Sequence, residues 1–78
     1  LVRISEDLHY NPEQIEKILK ILLGFFKKNP DINVIQFKEL LNVSRKYAID
    51  LLEYFDSKRF TIRKDNFRVP GKIFDLEN

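Results

Sequence analysis

Only two residues, Asn42 and Val43, separate two stretches that each carry the marks of a capped amphipathic helix. That spacing limits the folds open to this chain more than any other feature in it. Upstream, Asn33 and Gln36 stand at capping-box separation, and Val34, Phe37, Leu40 and Leu41 share one helical face. Downstream, Ser44 is a good cap, and Ala48, Leu51, Leu52 and Phe55 recur at i, i+3, i+4 and i+7. Asn42 sits just past the end of the upstream helix, where a left-handed residue commonly stops a helix and Asn adopts that conformation at low cost. Two helices joined this tightly form a helix-turn-helix.

A longer helix precedes the pair. Asn11-Pro12-Glu13-Gln14 combines a cap, a proline at the first helical position and a capping-box glutamine. Tyr10 and Ile15 stand where a hydrophobic staple packs. Ile15, Ile18, Leu19, Leu22 and Phe26 then follow helical spacing, which predicts a helix running to about Lys28, before the stop at Asn29-Pro30. Gly24 inside it costs about 1 kcal/mol relative to Ala, and close packing against a neighbour is the expected reason for it.

After residue 58 the period changes from helical to alternating. Phe60 and Ile62 alternate with Thr61 and Arg63, and beyond Asp65-Asn66 the residues Phe67 and Val69 bracket Arg68. Asp65-Asn66 suits a two-residue turn, since both residues tolerate positive φ. That turn pairs Lys64 with Phe67, Arg63 with Arg68 and Ile62 with Val69. In this reading Phe60, Ile62, Phe67 and Val69 face the core, while Arg63 and Arg68 oppose each other on the outer face. The expected fold class is α+β: a winged helix, with a three-helix helix-turn-helix core and a small antiparallel sheet. Residues 1–4 are expected to supply its third strand. The domain is expected to span 1–69, followed by a tail over 70–78.

Composition removes several function classes. There is no cysteine and only one histidine, His9, so neither disulfides nor the usual zinc sites are expected. No run approaches the roughly 20 apolar residues of a membrane span. A cytoplasmic protein with no membrane partner, monomeric, is the expectation. Leu1 in place of an initiator methionine suggests a piece of a longer protein. No serine elbow, paired carboxylate site or Gly-rich phosphate loop is present, and the only glycines are Gly24 and Gly71. A catalyst is not expected, nor a cofactor in this domain.

Charge points to an anionic partner. Residues 1–57 are nearly balanced, whereas 58–72 carry six basic side chains against Asp65 alone. Two constellations stand out. Ser44, Arg45, Lys46 and Tyr47 open the third helix, where cations oppose the helix dipole unless a bound phosphate reverses the sign. Arg63, Lys64 and Arg68 lie on the hairpin, where two arginines facing each other across the ladder repel unless a polyanion lies over them. Tyr47 could stack on an unpaired base. Phe25, Phe26, Phe37, Phe55, Phe60 and Phe67 fit core positions.

The run Ser44-Arg45-Lys46-Tyr47-Ala48-Ile49-Asp50-Leu51-Leu52-Glu53-Tyr54-Phe55-Asp56 resembles the C-terminal domain of the bacterial selenocysteine-specific elongation factors, the SelB family. Phe37 to Val43 before it and Phe60 to Lys64 after it are similar to the same family in the same order. Leu1-Val2-Arg3-Ile4 and Asp7-Leu8-His9-Tyr10 are similar to its entry segment. The resemblance implies a winged helix that binds the selenocysteine insertion (SECIS) hairpin of an mRNA, with Ser44, Arg45 and Lys46 on the RNA and the wing at Arg63 to Arg68 beside them. It also implies a parent protein with a separate GTPase domain that holds GTP and works with the ribosome and selenocysteinyl-tRNA. Asn42 stands where glycine is common in the family.

Two other readings compete. A DNA-binding winged helix of a transcriptional regulator would lay the third helix in the major groove, but Asp50, Glu53 and Asp56 on its outward face would meet phosphates there. A winged helix that binds protein would need an apolar patch, for which Ile73, Phe74 and Leu76 are the candidates.

Overall fold

The computed structural model describes residues 1–72; the expected tail beyond Lys72, with Ile73, Phe74 and Leu76, lies outside the described residues. Strand β1 (Val2–Ser5) and strand β2 (Leu8–Tyr10) form a hairpin that leads into helix α1 (Pro12–Phe26). A short strand β3 (Ile32–Asn33) then runs directly into helix α2 (Val34–Leu41), followed by helix α3 (Arg45–Ser57) and strands β4 (Thr61–Lys64) and β5 (Phe67–Pro70). The described residues form two antiparallel sheets, β1-β2 and β3-β5-β4. This is the expected winged helix.

The helix boundaries follow local chemistry. Asn11 and Asn33 each accept from the backbone N–H three residues on at 2.8 Å, and Gln14 and Gln36 each accept the cap residue's own N–H at 2.9 Å, so both capping boxes are closed. Ser44 caps α3, its Oγ accepting from the Tyr47 N–H at 3.3 Å. Asn42 is left-handed, at φ 55 and ψ 49, as expected, and Val43 N–H reaches back to the Lys38 carbonyl. Helix α1 ends at Phe26, close to the expected end, where Lys28 N–H bonds the Phe25 carbonyl three residues back and the Asn29 backbone and side chain donate to the same carbonyl.

The core lies where the three helices meet. Leu22, Phe37, Leu51, Leu52 and Phe55 are fully buried, and each such side chain contributes about 1.5–3 kcal/mol relative to exposure. Phe37 of α2 meets Phe55 of α3 edge to face, with ring centroids 6.3 Å apart. Gly24 is not explained by close packing, since a Cβ there would meet nothing within 4 Å. Gly71 is the crowded one: its N–H bonds the Phe60 carbonyl at 2.9 Å, and a Cβ would collide with the Arg59 carbonyl.

Two expectations about the sheet are corrected. Residues 1–4 do not complete the wing; they pair with β2, and β3 supplies the third strand by pairing Ile32 with Arg68 and Asn33 with Phe67. The register of the β4–β5 hairpin is as expected, with Arg63 opposite Arg68 and Lys64 opposite Phe67, and Phe60 packs against the core as expected, but from Thr61 onward the faces are reversed. Thr61 and Arg68 are buried against α3, whereas Ile62 and Phe67 are 44% and 37% exposed. Asp65 is the turn residue that takes positive φ, at 53°.

Candidate nucleic-acid interface

The first turn of α3 is positioned by the Asn42 stop on one side and the Ser44 cap on the other, so Arg45 and Lys46 project from a helix N-terminus and are both exposed. Lys46 is already engaged. Its ammonium donates to Asp7 Oδ2 at 2.8 Å, tying the turn between β1 and β2 to α3, and lies 6.0 Å from the Tyr47 ring centroid. The hydrogen bond from Lys46, followed by that from Ser5 at 3.1 Å, holds the Asp7 carboxyl below its ordinary value; the same bond to Asp7 raises Lys46. Arg45 has no such partner among the described residues, so its guanidinium is the free cation of this turn.

Arg45 opens onto a groove of about 480 Å³ between the start of α2, the exposed side of α3 and the wing. Val34, Ile35 and Ile49 give it an apolar floor, and Asn33, Glu53, Asn66, Arg63 and Arg68 supply its polar groups. The fold thus brings together Arg45, Arg63 and Arg68 from two separate sequence constellations. Ser44, Lys46 and Tyr47 lie outside that lining, and Lys64 belongs to the other face of the hairpin, opposite Phe67. Arg63 is exposed, with its Nε donating to the Asp65 carbonyl at 3.2 Å, which turns the side chain along the wing tip.

Arg68 is a correction. It was expected on the outer face, in repulsive contact with Arg63. Instead it is buried, and its Nε and Nη2 donate to Asp56 Oδ2 at 3.2 and 3.1 Å. Asp56 Oδ1 accepts from the buried Thr61 hydroxyl at 2.6 Å. One carboxylate near the end of α3 therefore holds both wing strands, and the like-charge problem disappears because Arg68 is neutralised from the helix side. Fewer carboxylates on α3 therefore oppose a phosphate backbone than its outward face suggests from the sequence. Asp56 points inward, Asp50 has a buried Oδ2 without a hydrogen-bond partner among the described residues, and Glu53 alone remains exposed in the groove.

Sequence reasoning missed Ile35, Asn33 and Asn66 as groove residues. Ile35 carried a weak signal, since it lies off the inward stripe of α2, and the structure leaves it 60% exposed.

The family model described as elongation factor SelB, winged helix, matches residues 24–69, more than half of the chain and every residue that lines the groove. The chain belongs to the SelB winged-helix family. Within that family it is 32% identical, over 63 residues, to a selenocysteine-specific elongation factor of Desulfomicrobium baculatum. The match covers 81% of this chain and 10% of that protein, so the chain spans about a tenth of the length of this SelB relative. Its fold is similar to the mRNA-binding domain of elongation factor SelB from E. coli, solved in complex with SECIS RNA. There the TM-score is 0.83 at 28% identity, over 90% of this chain and 58% of that one. Among the described residues no cluster of His, Asp and Glu could hold a metal ion, and no helix is long and apolar enough to cross a membrane.

Proposed function

We propose that this chain is the RNA-binding domain of a selenocysteine-specific elongation factor and grips a SECIS-type mRNA hairpin, so that selenocysteinyl-tRNA is delivered at UGA codons. The observation that carries this reading is the convergence of Arg45 and Arg63 on one groove, in a fold similar to a SelB domain solved with SECIS RNA. A helix N-terminus with a free arginine meets a phosphate end on, and the wing arginine reaches the backbone beside it. A-form RNA has a major groove too narrow for a helix, so end-on contact suits it better than lengthwise insertion. The domain itself is non-catalytic and needs no cofactor. GTP, the ribosome and selenocysteinyl-tRNA are engaged by other parts of a cytoplasmic parent protein, and this domain acts as a monomer.

The test is a titration of the chain with hairpin RNA and with a DNA duplex of matched length at moderate salt. Hairpin RNA binds far more tightly, and Arg45→Ala weakens that binding by on the order of 1.5–3 kcal/mol without altering the thermal melt. Equal affinity for the DNA duplex points to a transcriptional regulator instead.

A further inference from the structure

The face of the wing turned away from α3 carries residues that folding does not account for. Ile62, Phe67 and Val69 lie side by side on it, with Ile62 opposite Val69 and Lys64 opposite Phe67. None of the three apolar residues belongs to the core cluster or to the side chains packed against it. Phe67 makes no ring contact with another aromatic among the described residues, although Phe25, Phe26, Phe37, Phe55 and Phe60 all do. Around this apolar strip three cations stand against one exposed carboxylate, Asp65 in the turn between Lys64 and Phe67. Lys64 stands beside Phe67, and at the other end, where the β4 edge meets the end of α3, a hollow of about 370 Å³ is lined by Arg59, Ile62 and Lys72 together with Asp56 and Thr61. Arg59, Lys64 and Lys72 are exposed, and none has a carboxylate partner among the described residues. The nearest acid in the hollow, Asp56, is committed to Thr61 and Arg68.

An exposed aromatic ring flanked by unpaired cations is the chemistry that holds single-stranded nucleic acid. Bases stack on the ring whatever their identity, and the cations track the phosphates. We propose that this outer face of the wing is a second RNA surface, which takes an unpaired stretch running on from the hairpin held at α3. One base stacks on Phe67, and phosphates meet Lys64, Arg59 and Lys72. The proposal rests on the RNA-binding reading above but uses none of its groove residues. A strand of RNA fits the face better than a protein segment does, because one run of phosphates meets all three cations.

The 78-residue chain is titrated with three RNAs: a hairpin, the same hairpin with an unpaired extension of about ten nucleotides, and the extension alone. The extension is expected to tighten binding about tenfold, the scale of one stacked base. Phe67→Leu keeps the apolar bulk but loses the ring, and should abolish that gain while binding the bare hairpin as before. Phe67→Tyr should retain the gain. If the extension adds nothing, or if Phe67→Leu keeps the gain, the proposal is overturned, and an apolar protein segment is the better occupant. If the bare hairpin fails to bind while the extension alone binds in a Phe67-dependent way, the hairpin reading fails and the second surface stands.

Discussion

The two ends of α3 each set a cation against an aspartate, and they do opposite things with it. At the N-terminal end Lys46 meets Asp7 at 2.8 Å, with side chains 66% and 54% exposed. At the C-terminal end Arg68 meets Asp56 at 3.1 Å, with side chains 5% and 22% exposed. Water screens the first pair, so its loss changes little and its cation stays available to a competing phosphate. The second pair is desolvated, and removing one member strands the other's charge. Distance does not separate a binding group from a structural one here. Burial does: it leaves the cations at the N-terminal end of α3 open to the partner proposed above and commits the C-terminal end to holding the wing.

The sharpest way to break that contrast is Asp56→Ala. It leaves the buried Arg68 without its acceptor and the Thr61 hydroxyl without its own, and should cost about 3–5 kcal/mol in chemical denaturation. A loss below about 1 kcal/mol would mean that water reaches Arg68 and that the two ends are alike after all. Arg68→Thr comes next. On the outer-face reading it would have been neutral or slightly stabilising; with Arg68 buried it should destabilise by about 1–3 kcal/mol, less than Asp56→Ala because Asp56 keeps Thr61 and some solvent. Its effect on RNA affinity should follow from wing disorder, so it should shrink at low temperature, where the fold is saturated.

Between these in character is the corner where α3 ends. Arg59 has φ 62, and its N–H and that of Phe60 bond the Asp56 and Phe55 carbonyls, while the Phe55 and Phe60 rings pack 5.9 Å apart. This is a Schellman closure with arginine where glycine is usual. Arg59→Gly should therefore raise stability by up to about 1 kcal/mol in a thermal melt, a gain that no exposed change at the other end of α3 should match.

The smallest effect belongs to Asp7→Asn. Asp7 is lowered by its bond from Lys46, so its contribution is present above the ordinary carboxylate value and disappears as pH falls through its lower folded value. Lys46 is raised, so the alkaline limit comes as pH rises through its raised folded value. The stability difference between wild type and Asp7→Asn should be greatest between those limits, vanish at both, and fade with added salt. Melts across pH at two salt concentrations read it out. A difference that persists in acid would assign Asp7 a role other than pairing Lys46.

The sequence by itself determined the three helices, the wing hairpin and the joints between them. Caps at Asn11, Asn33 and Ser44, the left-handed stop at Asn42 and the two-residue turn at Asp65-Asn66 depend on residues within a few positions of each other. Local chemistry therefore suffices to place the helices and set Arg63 opposite Arg68. It also marked Arg45 and Arg63 as exposed cations. What only the tertiary structure decided was which face of the wing turns inward and which strand completes its sheet. Alternation groups side chains into two faces but does not say which one is buried. Counting apolar residues chose Ile62, Phe67 and Val69. The fold chose Thr61 and Arg68 because Asp56, twelve residues before Arg68, offers a carboxylate where the hairpin crosses the end of α3. Ile32, from a strand the sequence did not announce, covers that buried side by pairing beside Arg68. A long-range acceptor and a long-range neighbour outweighed the local pattern, since a buried guanidinium is tolerable only where its partner is already in place.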